Sequence, residues 1–315
     1  MRPAQPVWRA RQFHNQPAAS HLHRYLVDLW SDVRGETGGR LDVTVLPQND
    51  GIPGSDPGAL DMLVSGELEF FCLMGGILGR VVPAAEIQGM PFAFVDSAQV
   101  HRANDGPLGA YLDRECAAKG IHRFPCGLLE NGFRHIGMID RPIRTAEDLA
   151  GQRMRVPDGD MFRDLFNDLG AVPVTVNIKE LYGALQDRRV DGQENPLVVM
   201  EFNKLYAVTE YLSMTSHMWS GFNMMANIAF WSRLPDDVQA TVDCAVTRHV
   251  ARQRTDTVAL NHALAAGLEA RGMIVNTADT ATFRARLSGG FYPRWRHSLG
   301  PTAWALMEDQ VGHLG

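Results

Sequence analysis

An excess of basic charge is missing from this sequence. Its 30 Lys+Arg face 36 Asp+Glu, for a net charge of −6. A mildly acidic chain with no basic run is a poor nucleic-acid binder, because that affinity comes mostly from neutralised phosphates. Long apolar runs are missing too: none reaches the length of about 18 residues that spans a bilayer. Cysteines are few, Cys72, Cys116, Cys126 and Cys244, and none has the CxxC spacing of a zinc ribbon or a thioredoxin-type site. Free or buried thiols are expected; Cys116 and Cys126, ten apart, could bridge if their Cβ atoms face each other. The eleven histidines show no HExxH spacing, and there is no Walker A, no G-x-S-x-G and no G-x-G-x-x-G after a strand. No metal site, no cofactor and no catalytic centre is expected.

What is present describes a globular α/β chain. At 315 residues, 45% apolar and 21% charged, the expectation is two domains or one large one, and disorder is excluded. Residues 1–11 show no apolar h-region and no small-residue cleavage site, so either the protein is cytoplasmic or a signal peptide has been removed or lies outside this sequence.

Val7–Phe13 reads as a strand, and Ser20 caps a helix whose apolar residues Leu22, Leu26, Leu29, Trp30 and Val33 recur at helical spacing. Arg40–Leu46 alternates as a strand. Asn49–Gly58 reads as loop, Ala59–Ser65 as helix and the apolar Leu68–Met74 as a strand covered on both faces. This βαβαβ order predicts a parallel sheet. A second such series runs from Thr145, a capping-box start, through strands at 152–157 and 171–176 and helices at 160–169 and 180–186, to a turn at 189–192. Phe222–Trp231 reads as a strand. From Pro235 to Glu269 only Gly267 interrupts a helix-compatible stretch, about 45–50 Å if continuous. Such a helix suits two lobes better than one.

Several polar residues in this pattern could grip an anion. Arg155 sits between Met154 and Val156 before Pro157, and its guanidinium fork matches a carboxylate. The bland reading is a strand Arg reaching solvent or a local Asp. Asn195, before Pro196, offers two donors and an acceptor, or is simply a turn residue. Arg134 lies at the switch between the two series, where clefts form, or is a surface Arg. Glu180 and Tyr182 read as helix-start residues. Met74, Ile178, Trp219 and Phe222 are ordinarily core residues, but could wall a ligand pocket.

The ordered set RMRVP (153–157), LGAVPV (169–174), ELYGALQ (180–186) and VDGQENP (190–196) strongly resembles the TRAP-transporter periplasmic solute-binding proteins, the DctP-type family. TGGRLDVTVLPQND, GMPFAFVD, LAGQRMRVP, MTSHMW and SRLPDDVQ extend the resemblance over most of the chain. It implies a two-lobe periplasmic-binding-protein-like (Venus-flytrap) α/β fold with hinge strands, one long helix spanning both lobes, and a ligand cleft between them. Lobe I is expected from 1–132 plus about 221–258, and lobe II from 133–220 plus about 259–315.

By the resemblance, Arg155 matches the family's carboxylate-pairing Arg and Asn195 the Asn supporting that carboxylate. Arg134 matches a second Arg at the hinge, and Asn15 a polar residue of the first binding loop. Met74-Gly75-Gly76 stands where some members carry an acidic residue, and Ile178 stands near a usual aromatic. Both changes point to a small organic acid with an apolar or aromatic body, on which Trp219 stacks. The implied function is periplasmic capture of an organic anion for the small and large TRAP membrane subunits, with no bond made or broken. A ligand-sensing module feeding a signalling partner is the alternative, and a two-lobe enzyme with Glu180 or His217 as base a more remote one.

Overall fold

The computed structural model describes residues 7–314. Among these residues nine strands are formed: β1 (Trp8–His14), β2 (Leu41–Leu46), β3 (Phe70–Met74), β4 (Ile121–Met138), β5 (Arg153–Val156), β6 (Val172–Thr175), β7 (Gly192–Pro196), β8 (Tyr211–Asn227) and β9 (Ile274–Thr277). Contacts divide the chain into two compact units. The first holds the described residues up to Leu73, with Gly109–Leu129 and Phe222–Thr255. The second holds Met74–Leu108, Glu130–Gly221 and the described residues from Asp256 onward.

In the first unit, β1 pairs in parallel with β2 (Ala10↔Val43) and β3 (Phe13↔Phe71), as the βαβ reading requires. The intervening helix His21–Glu36 starts where the Ser20 hydroxyl accepts the His23 N–H at 3.2 Å. Its stripe of Leu22, Leu26, Leu29, Trp30 and Val33 is buried in one core with Phe70, Phe124, Phe222 and Trp231. Trp30 and Phe70 lie 4.5 Å apart and Phe124 and Trp231 4.9 Å apart, within the range of favourable ring contacts. The helix expected from Ala59 begins earlier, at Ser55, because Pro57 falls in the first turn, where no amide hydrogen is needed. No disulfide is formed among the described residues, so Cys116 and Cys126 are not bridged. Burial pushes the Cys116 thiol up to about 12, which makes it inert.

The second unit is a mixed sheet. β7 runs parallel to β5 (Arg155↔Gln193) and β5 parallel to β6 (Arg155↔Val174), but β4 runs antiparallel to β7 (Arg134↔Pro196, Met138↔Gly192). Gly192 is required at this crossing: a Cβ there would sit 2.2 Å from the Met138 sulfur and 2.8 Å from the Gly137 carbonyl oxygen. The expected turn ends at Gly192, so Gln193–Asn195 are buried strand residues and Asn195 is not a turn Asn. β9 adds in parallel to β8 (Leu212↔Val275). The capping box at Thr145 is present, with Asp148 accepting the Thr145 N–H at 2.9 Å.

The strand expected at 222–231 begins at Tyr211 and ends at Asn227, followed by a short helix Ile228–Trp231. Asp236–Ala270 is one helix of 35 residues, contributing to the first unit up to Thr255 and to the second from Asp256. Met74–Leu108, placed in the first lobe by the sequence reading, clusters with the second unit. Tyr292 donates to the Pro91 carbonyl (3.2 Å), Arg284 to that of Phe92 (3.2 Å) and Gln99 to that of Gln310 (2.9 Å). Among the described residues, no helix is long and apolar enough to cross a membrane.

Candidate functional site

Arg155 is 3% exposed, and its Nε donates to the Val176 carbonyl at 2.7 Å. An always-charged side chain is held in a strand interior, at a cost that only partnered burial offsets. On the neighbouring strand, Gln193 accepts from Asn195 Nδ2 at 2.6 Å. Asn195 in turn accepts from Arg134 Nη2 at 3.3 Å. These three predicted residues therefore lie along the adjoining strands β4, β7 and β5, with Arg134 bonded to Asn195 and Arg155 opposite Gln193 in the strand register.

Arg134 is fully buried and committed. Its Nη2 donates to Glu194 Oε1 (2.7 Å) and to the Glu194 carbonyl (2.8 Å), its Nε donates to Glu194 Oε2, and its Nη1 donates to Ser220 (3.3 Å). The Phe162 ring covers the guanidinium, 5.0 Å from ring centre to Cζ. Burial drives the Glu194 carboxyl upward, but the Arg134 charge and hydrogen bonds from His217 and Arg134 outweigh it and hold it below its ordinary value. His217 donates from Nε2 to Glu194 (3.3 Å) and pairs through Nδ1 with Thr215 (2.7 Å). Burial lowers its own pKa despite Glu194, so the imidazole is neutral beside a charged Arg–Glu pair.

Trp219 is 1% exposed, and its indole N–H donates to Glu130 at 2.7 Å, which fixes the ring. Together with Met74, Met161, Phe162 and Met218 it lines a narrow hollow of about 10 Å³, into which Gln88, Ser220 and Glu86 also face. Ser220 and Phe162 join this hollow to Arg134. An outer cavity of about 300 Å³, lined by Arg80, Asp158, Asp160 and Arg163, shares Gly76 and Glu86 with it.

The remaining predicted residues lie elsewhere. Ile178 begins the helix Ile178–Gln186 and packs in the hydrophobic core of the second unit. Phe222 is in the core of the first unit, the bland reading. Asn15, also in the first unit, donates to Asp56 (3.2 Å) and accepts from Gln16 (2.9 Å). Sequence reasoning passed over Glu194, Phe162, Met161, Gln88 and Glu86 as site residues. Glu194 had one visible signal, a carboxylate inside VDGQENP beside Asn195; Glu86 had none.

Glu86 is 5% exposed in the 3₁₀ segment Pro83–Gly89, and its Oε2 accepts the Met161 N–H at 2.9 Å. Burial first of all pushes its carboxyl up to about 7, against the pull of that hydrogen bond. Between its ordinary value and about pH 7, the unfolded chain releases this proton while the folded chain keeps it. Stability is therefore expected to fall as pH rises through that window and to level off above it. Glu86→Gln should remove this component from denaturant midpoints measured between pH 4.5 and 8. Identical slopes in the two proteins would contradict the assignment.

The sequence matches the DctP family, described as bacterial extracellular solute-binding protein, family 7, over residues 13–289. It is 33% identical over 208 residues to the protein y4mM of Sinorhizobium fredii, covering 66% of this chain and 38% of that protein's length. It is 29% identical over 305 residues to the solute-binding protein RD1_1052 of Roseobacter denitrificans, covering 94% and 89%. A TRAP periplasmic solute-binding protein from Roseobacter denitrificans, solved with bound β-D-glucuronate, superposes with a TM-score of 0.89 at 25% identity, covering 95% of this chain and 99% of that one. The two-lobe α/β fold is that of these proteins. With a match reaching from the first strand to the helix after the last, this chain belongs to the DctP family of bacterial extracellular solute-binding proteins.

Proposed function

We propose that this protein is the extracytoplasmic solute-binding subunit of a TRAP transporter that captures a small organic acid. The family match over 13–289 carries this reading. In it, Arg155 grips the solute carboxylate, Asn195 supports the same group, and Arg134 stabilises the position of Asn195 from within its pair with Glu194. Met74 and Trp219 contact the solute body. Asn15 is a further polar contact of the solute; Ile178 and Phe222 serve as packing. No bond is made or broken, and the loaded protein is delivered to the small and large membrane subunits from the periplasm. The lobe bounds read from the sequence remain part of this proposal except at Met74–Leu108, which cluster with the second unit.

The glucuronate in the Roseobacter protein supports an acid as ligand. The three methionines and two aromatics around the narrow hollow support a body less polar than a uronate. Methionine side chains repack readily, which lets such a hollow widen around a guest. A thermal-shift screen with uronates, aldonates, C4-dicarboxylates and aliphatic and aromatic monocarboxylates tests the reading. Saturation at about 100 times Kd adds roughly 2.7 kcal/mol, an upward shift on the order of 4 °C for a chain of this size. No shift with any acid would contradict it. Turnover of a bound acid would favour an enzyme instead.

A further inference from the structure

Glu86 is unlike the other buried carboxylates of this unit. Glu194 is neutralised by Arg134, and Glu130 accepts from Trp219 and lies 2.9 Å from His101 Nε2. Glu86 forms no ion pair among the described residues. Its Oε2 is taken by the Met161 N–H, at the start of the helix Asp160–Asp168, and no hydrogen bond of the described residues reaches Oε1. The side chain lies over Gly79, where a Cβ would sit 2.3 Å from Glu86 Cγ and 2.7 Å from Oε1, so this position is open to the carboxyl only because residue 79 is glycine. Glu86 and Gly76 are the two residues common to the narrow hollow and the outer cavity.

The surroundings decide which protonation state a bound anion favours. The charged groups acting on Glu86 are Asp160, Arg163 and Asp164, all on the helix Asp160–Asp168. Arg80 and Asp158 line the outer cavity with it and pair at 3.2 Å, and Arg163 also pairs with Asp158. From the helix Phe291–Val311, packed on the same segment, Tyr292 donates to the Pro91 carbonyl, and burial keeps its hydroxyl protonated, with its pKa pushed up to about 12. No uncommitted cation faces Glu86 from these elements. An incoming organic anion adds negative charge to this setting and disfavours the carboxylate form. A protonated carboxyl suits the geometry: Oε2 keeps accepting from Met161, and the Oε1 hydroxyl is left to donate.

We propose that Glu86 contacts the bound solute as a neutral hydrogen-bond donor at the wall between the two cavities, and that the solute is an organic acid carrying an oxygen acceptor away from its carboxylate. This rests on the solute-binding reading above. The acidic group absent at Met74-Gly75-Gly76 is then supplied from another segment, in protonated form. Binding takes up a proton, because the free protein is partly ionised near neutral pH and the loaded one is not.

Paired acids that differ only in a distal oxygen test this directly: pentanoate against 4-oxopentanoate, and phenylacetate against 4-hydroxyphenylacetate. Calorimetric titrations at pH 6, 7.5 and 9, in buffers of different ionisation enthalpy, read affinity and proton uptake together. The oxygen-bearing member is expected to bind the wild type at least about tenfold more tightly at pH 6, with most of that advantage gone at pH 9 and more than about half a proton taken up per ligand at pH 7.5. Glu86→Gln keeps a donor, so it should retain the preference within about threefold but show a flat pH profile and no uptake. Glu86→Ala should lose the preference at every pH. A residue that merely holds the fold would lower melting temperature in both variants and leave the pH profile of binding unchanged; that result overturns the proposal. Equal affinity for the two members of each pair in wild type overturns it as well, while leaving the solute-binding reading intact. A folded wild type that binds none of these acids nor any of the wider panel overturns the solute-binding reading, and this proposal with it.

Discussion

Replacing Arg155 by alanine is expected to weaken binding of an organic acid by roughly 2–5 kcal/mol, more than about 30-fold in Kd. The guanidinium is fixed in advance: the side chain is buried and Nε is tied to the Val176 carbonyl. The fork is therefore held in one geometry before any carboxylate arrives, and little further ordering cost falls on binding. Arg155→Lys keeps the charge but loses the fork, so it should recover only part of the affinity. Calorimetry on both variants checks this, with thermal melts to establish that they are folded. Wild-type affinity in a folded Arg155→Ala protein would remove this residue from the site.

The second large effect concerns stability rather than binding. Glu194→Ala leaves the Arg134 guanidinium, fully buried, without its counter-charge, and should cost about 3–5 kcal/mol. Removing both charges together, as Arg134→Met with Glu194→Leu, should cost much less than the single change, because the uncompensated charge is the main source of the loss. The pair also sets an acid limit. Glu194 is held below its ordinary value, so its contribution is complete above that value and is lost as pH falls through the folded-state one. Urea titrations of the two variants would settle the point. A single variant within about 0.5 kcal/mol of wild type would mean that the pair carries no net weight.

Much of the fold was legible wherever pattern and packing agree. The Leu22–Val33 stripe, the all-apolar β3 and the Thr145 capping box each carry a local signal that tertiary structure only reinforces. The long strands β4 and β8 were not fully legible. Their alternation is broken by buried polar residues such as Arg123, Glu130, Asn131, Arg134 and His217, which look like surface positions until their partners are known. Arg123, for example, is held by Asn223, a hundred residues away. The antiparallel pairing of β4 with β7 depends on such distant partners, and a βαβ count does not foresee it.

The site divides along the same line. Arg155 and Asn195 stand in motifs whose spacing marks them, and both are buried on adjoining strands. Phe222 carries no signal that separates a pocket wall from a core, and it is in the core. Glu86 was invisible because its character comes from burial against a helix start 75 residues away, together with a glycine that leaves room for it.

Crystals grown with an acid found in the screen would test the central claim most directly. The account predicts the solute's carboxylate in bidentate contact with the Arg155 guanidinium, both N···O distances near 2.8–3.0 Å, with Asn195 within hydrogen-bond reach of the same group. A solute bound with its carboxylate elsewhere, and Arg155 left with protein partners alone, would contradict it.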